Sequence, residues 1–143
     1  MRFEGARAVA LIDLDTLGRG TLDAELGDAF RSWCNPASED ATDAVFDLAL
    51  FDAGVRGYAE GARGDATPDE VRSIAPGVDR ICLELAARFA ADALSESYFG
   101  WDATRFATRG EHNLLRARGQ AALARAVRDL RSEADAIVSA AFR

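Results

Sequence analysis

The chain is 143 residues long, 49% hydrophobic and 29% charged, enough for one domain with a packed core and too apolar to stay disordered. Its formal charge is −7 and it contains no lysine, so it lacks the cationic footprint that nucleic acid or an anionic membrane needs in a main partner. Two cysteines, Cys34 and Cys82, are too few for a disulfide framework; both fall in apolar stripes and read as small buried hydrophobes.

Residues 1–15 read as β structure. Phe3, then Glu4-Gly5 and the run Ala8-Val9-Ala10-Leu11-Ile12, predict a small hairpin whose second strand is apolar on both faces and therefore buried on both sides. The run is short and is interrupted by Asp13 and Asp15, which a secretory h-region does not tolerate. No stretch approaches the ~20 apolar residues of a membrane span, and the expected location is the cytoplasm. Gly18-Arg19-Gly20 reads as a loop. Thr21 can cap a first helix with Leu22, Leu26, Ala29, Phe30 and Trp33 on one face, stopped by Asn35-Pro36. Residues 35–43 read as an exposed acidic connection.

A second helix covers about Asp47 to Ala62, with Phe51, Val55 and Tyr58 inward. Leu50, Gly54, Gly57 and Gly61 share another side, and the glycines predict close packing there rather than weak spots on a surface helix. Thr67-Pro68-Asp69-Glu70 is a capping-box start to a short helix that ends before Pro76. A longer helix follows from Val78 to about Leu94, burying Ile81, Cys82, Leu85 and Phe89. Residues 95–108 are rich in aromatics, and Phe99 and Phe106 read as a lid on a small core. The last helix starts near Glu111 and continues toward the end. Its seam of Leu123, Val127, Leu130, Ala134, Ile137 and Ala141 suits a bundle or a homodimer.

Asp13 and Asp15 are the first candidates for chemistry. Two positions along a strand separate them by roughly 6–7 Å on one face. Carboxylates cost too much to bury unpaired, so acids at the end of a buried strand want either a hard cation such as Mg²⁺ or water. Spacing alone leaves these two readings level. Arg80, Glu84, Arg88 and Asp92 recur every four residues, which reads as a solvated salt-bridge row. His112, the one histidine, has no neighbours at metal-ligand spacing and reads as a capping or packing residue. Arg116 and Arg118 are too far apart around the helix to make one patch and are expected to pair with acids.

Ile12-Asp13-Leu14-Asp15-Thr16, then Gly20, then Leu26-Gly27-Asp28-Ala29-Phe30-Arg31, resembles the aminoglycoside phosphotransferase and choline kinase superfamily. Within it the chain is most similar to the N-acetylhexosamine 1-kinase group. That match rests on Phe46-Asp47-Leu48-Ala49-Leu50-Phe51, on Arg88-Phe89-Ala90-Ala91-Asp92, and on Tyr98-Phe99 followed by His112-Asn113-Leu114-Leu115-Arg116-Ala117-Arg118-Gly119-Gln120. The resemblance implies that Asp13 is the Mg²⁺ ligand that bridges nucleotide phosphates, with Asp15 beside the metal. Asp28 matches the acid that braces the catalytic loop, against the alternative of a solvated acid. Arg88 and Tyr98 match residues that meet the sugar.

Such a phosphotransferase also needs a phosphate-covering hairpin, a strand lysine, and a loop with a base Asp and a metal-binding Asn. The sequence has no lysine, and by the family's order the base falls upstream of Met1. The expectation is therefore a mainly α fold, about five helices with a short N-terminal β-hairpin, forming the C-terminal lobe of a kinase. It would hold the acceptor and part of the metal site, with ATP and Mg²⁺ implied for the full relative and no turnover by this polypeptide alone. The alternative is a non-catalytic helical module that forms a homodimer or completes a kinase supplied by another chain.

Overall fold

A computed structural model describes residues 2–10, 12, 18–62 and 64–143. The architecture is mainly helical, as expected: strands β1 (Arg2–Glu4) and β2 (Arg7–Ala10) precede helices α1 (Leu22–Trp33), α2 (Leu48–Ala62), α3 (Pro68–Ser95), α4 (Arg109–Asp129) and α5 (Arg131–Ala141). The strands pair antiparallel, with Phe3 opposite Ala8 and Glu4 opposite Arg7, and Gly5 takes the left-handed φ of +58° that the turn requires. Residues 2–10 are exposed throughout. That corrects the expectation of a strand buried on both sides. A two-stranded ribbon is a single layer, and apolar alternation produces burial only where a second layer packs on it.

One cluster of buried side chains joins the helices. Phe30 of α1 meets Phe51 of α2 edge-on at 4.9 Å, and Phe46 lies 5.2 Å from Phe51. Val55, Ile74, Val78, Cys82, Leu123, Val127, Ala134 and Val138 belong to the same cluster. Leu123, Val127 and Ala134, the seam expected to suit either a bundle or a dimer, are therefore spent inside the fold.

Helix α3 is the spine. Thr67 and Glu70 form both halves of the expected capping box: Glu70 N–H donates to Thr67 Oγ1 at 3.3 Å, and Thr67 N–H donates to Glu70 Oε2 at 2.8 Å. The helix does not end before Pro76 but runs on to Ser95. Pro76 lacks the N–H that would reach the carbonyl of Arg72, a local cost of ~3 kcal/mol. Ile74, Ala75, Gly77 and Val78 around it are buried, and their packing outweighs the loss. At this level α1 crosses α3 at close range. A Cβ on Gly27 would lie 2.7 Å from the Gly77 carbonyl oxygen, and one on Gly77 would run into the backbone of Asp23.

The final helix is also divided. Asp129 ends α4, Leu130 turns with φ −103° and ψ 16°, and α5 starts at Arg131. The turn lets α5 pack back on α2 and α3. Among the described residues, no helix is long and apolar enough to cross a membrane.

Candidate functional site

The C-terminal half of α3 carries Arg88, Phe89 and Asp92, and the chain then turns back over them. Glu96 caps the helix in the left-handed region at φ 49°, which reverses the backbone and brings residues 97–99 beneath Arg88. The Arg88 guanidinium carbon stands 5.7 Å from the Tyr98 ring centre and 5.5 Å from that of Phe99. A cation at this range is drawn to the electron-rich ring face. Phe99 in turn packs on buried Phe89 at 4.4 Å, and Arg116 of α4 lies 5.6 Å from the centre of the Phe89 ring. Each ring of this tilted phenyl pair thus has a guanidinium near it. Arg88, Ala91, Tyr98 and Phe99 line an open hollow of about 340 Å³.

Asp92 holds this corner from inside. It is 3% exposed, and its Oδ1 accepts from the backbone N–H groups of Ser97 at 2.9 Å and Tyr98 at 2.7 Å. Its Oδ2 accepts from Phe99 N–H at 2.9 Å and from Asn113 Nδ2 at 2.8 Å. Burial pushes the carboxyl up, but the backbone donors of Phe99, Ser97 and Tyr98 outweigh it and hold it down at about 2. The predicted charge row is corrected here. Asp92 faces inward onto backbone donors, and among the described residues Arg88 makes no ion pair with Asp92 or Glu84. Spacing by four identifies neighbours on a helix face, but it does not show that a loop will return to take the acid. Asn113, inside the His112–Gln120 string, is fully buried, and its amide bonds Asp92; nothing in the residue spacing pairs the two.

A second knot secures the other end of the aromatic loop. His112 stacks on Phe106 at 4.1 Å with the planes 9° apart. Its Nδ1 accepts from Asp102 N–H at 3.1 Å, which makes Nε2 the protonated nitrogen that donates to Asp40 Oδ1 at 2.8 Å. Arg105 Nη1 donates to Asp40 Oδ2 at 2.6 Å, and Arg116 Nε lies 3.5 Å from Asp40 Oδ1. Burial raises the Asp40 carboxyl, while His112 and Arg105 lower it by more, leaving it below the usual carboxylate range. The 35–43 connection is exposed at Pro36, Ser38, Glu39, Thr42 and Asp43, as expected, and is tied to α4 through Asp40; Gly119 lets it pass, since a Cβ there would meet the Ala41 carbonyl oxygen at 2.5 Å. His112 is a packing residue, as expected, and Phe99 and Phe106 lid the small core. Arg116 pairs with acids as expected; Arg118 is exposed and unpaired among the described residues.

Asp28 lies on the exposed side of α1 and is bound by Arg31, whose Nη2 is 2.8 Å from Asp28 Oδ1. It shares with Arg31, Glu84 and Arg88 a cleft of about 320 Å³ between α1 and α3. Asp28, Arg88 and Tyr98 therefore border two neighbouring hollows joined by Arg88. Asp13 and Asp15 lie outside the described residues. Among the described residues, no group of three or more His, Cys, Asp or Glu side chains is placed to hold a metal ion. No family model matches the chain.

Proposed function

We propose that the chain supplies the acceptor-binding side of an ATP-dependent small-molecule phosphotransferase, with a sugar or amino-sugar hydroxyl as the acceptor. The observation that carries this reading is the pairing of Arg88 with Tyr98 and Phe99 at an open hollow. A sugar presents apolar C–H faces and a rim of hydroxyls. An aromatic wall covers the first, and a planar guanidinium donates to the second. In the reaction, the γ-phosphoryl passes from the bridging oxygen of ATP to the acceptor hydroxyl, whose proton goes to a carboxylate base. Arg88 and Tyr98 orient the hydroxyl, and Asp28 would stand behind the catalytic loop. Asp13 and Asp15 would hold Mg²⁺, which neutralises charge on the phosphates when bound. The strand lysine of such a kinase has no counterpart among these 143 residues, so this polypeptide alone is expected to bind acceptor without turning over ATP.

Calorimetric or NMR titration of the chain with N-acetylglucosamine and N-acetylgalactosamine tests the reading. Saturable binding is expected, weakened about tenfold by either Arg88→Ala or Tyr98→Ala, the scale of losing one charge-assisted hydrogen bond or one stacking face. Absence of saturable binding, or binding untouched by Arg88→Ala, overturns it. The second reading, a non-catalytic interaction module, draws on the exposed apolar side chains Leu94 and Trp33, 91% and 62% accessible. Light scattering that gives a dimer, together with no sugar binding, would favour that reading.

A further inference from the structure

Asp92 does more than end a helix. At an ordinary C-terminus the free N–H groups beyond the last turn bond back to helix carbonyls. Here the N–H groups of Ser97, Tyr98 and Phe99 instead converge on one side-chain carboxylate, in the manner of a backbone nest around an anion. Asn113 fixes the same carboxylate from α4, and Ser95 Oγ adds a contact at 3.2 Å. Tyr98 itself is 72% exposed, so little packing holds its ring.

We propose that Asp92 is the positioning residue of this corner: its carboxylate fixes the backbone of residues 97–99 so that the Tyr98 and Phe99 rings stand under Arg88 before any ligand arrives. The same geometry bears on Arg88. With Asp92, its acid one turn onward, engaged by the loop, the guanidinium lies near the Tyr98 and Phe99 rings and makes no ion pair among the described residues. Substrate orientation in this pocket thus depends on a group that does not touch the substrate. The link to sugar rests on the acceptor-binding reading; the control of Tyr98 by Asp92 does not.

Tyr58 and Tyr98 are the two tyrosines, so fluorotyrosine labelling of the full chain gives two ¹⁹F signals, assigned by Tyr98→Phe. In Asp92→Asn the Tyr98 signal is expected to shift and broaden while that of Tyr58, packed near Phe142, stays in place. An unmoved Tyr98 signal overturns the proposal. Should Asp92→Asn fail to fold, amide exchange on the unmutated chain decides: Ser97, Tyr98 and Phe99 are expected to be protected although Ser97 and Tyr98 are exposed. Exchange at the free-chain rate overturns the proposal. In the N-acetylglucosamine titration, Asp92→Asn is expected to weaken binding about tenfold, and the double variant with Tyr98→Ala no more than Tyr98→Ala alone. Additive losses would show that Asp92 does not act through Tyr98. If the unmutated chain binds no sugar, the acceptor reading falls, and the ¹⁹F and exchange measurements still decide the role of Asp92.

Discussion

Asp92 keeps its charge in the interior because the backbone donors around it offset the loss of water. In the folded chain its carboxyl sits at about 2, below the ordinary 3.8. The unfolded chain therefore takes up this proton more readily, and stability rises with pH across that window. The contribution is fully present above the ordinary value and is lost as pH falls through about 2. Urea unfolding between pH 5 and pH 2 should show a steep acid loss in the unmutated chain and a flatter one in Asp92→Asn. Equal slopes would mean that the buried carboxylate is not the group responsible. Two other buried groups are held neutral instead. Burial raises the thiols of both Cys34 and Cys82 to about 12, so neither forms appreciable thiolate at pH 8. A thiol-directed reagent should leave both unmodified in the native protein and label both after denaturation; labelling of the native chain at the unfolded rate would contradict their placement.

The glycines separate helix from helix. Gly57 and Gly61 share the side of α2 that predicted close packing, yet a Cβ on either would meet nothing within 4 Å, whereas one on Gly54 would lie 2.6 Å from Phe30 Cε1. Gly57→Ala and Gly61→Ala should each stabilise the fold by ~0.5–1 kcal/mol, since alanine restricts the unfolded chain and meets no obstacle. Gly77→Ala should destabilise by ~1–3 kcal/mol, because the obstacle is backbone that cannot swing aside. Thermal melts of the three variants check the contrast in sign. Legibility followed the same division. The Thr67–Glu70 cap and the inward faces of α1 and α2 were readable because capping and 3.6-residue periodicity are local. The continuity of α3 through Pro76 and the turn at Leu130 depend on what packs across them. At the site, the residue types Arg88 and Tyr98 came from the resemblance. Their juxtaposition depends on the left-handed Glu96 and on Asp92, and no spacing rule announces either.

Across the whole molecule, stability is distributed unevenly, and the acceptor corner lies on its firmer part. Helix α3 packs against α1, α4 and α5, and Ile74, Val78 and Cys82 along it are fully buried. The hairpin of residues 2–10 is exposed along its whole length, its strands held to each other by their ladder. Local opening follows the density of buried contacts, so amides in 74–89 should exchange only through global unfolding, and those of the hairpin close to the free-chain rate. Arg88 and Asp92 stand on the helix that anchors the core, and Asn113 reaches Asp92 from its neighbour α4. A pocket built this way is largely preformed, and ligand binding should cost little ordering of the chain. Exchange measured with and without N-acetylglucosamine should therefore slow at residues 97–99 and leave the hairpin unchanged. If added sugar instead protected the hairpin and left residues 97–99 as they were, the ligand would be bound elsewhere, and Arg88 and Tyr98 would not be its contacts.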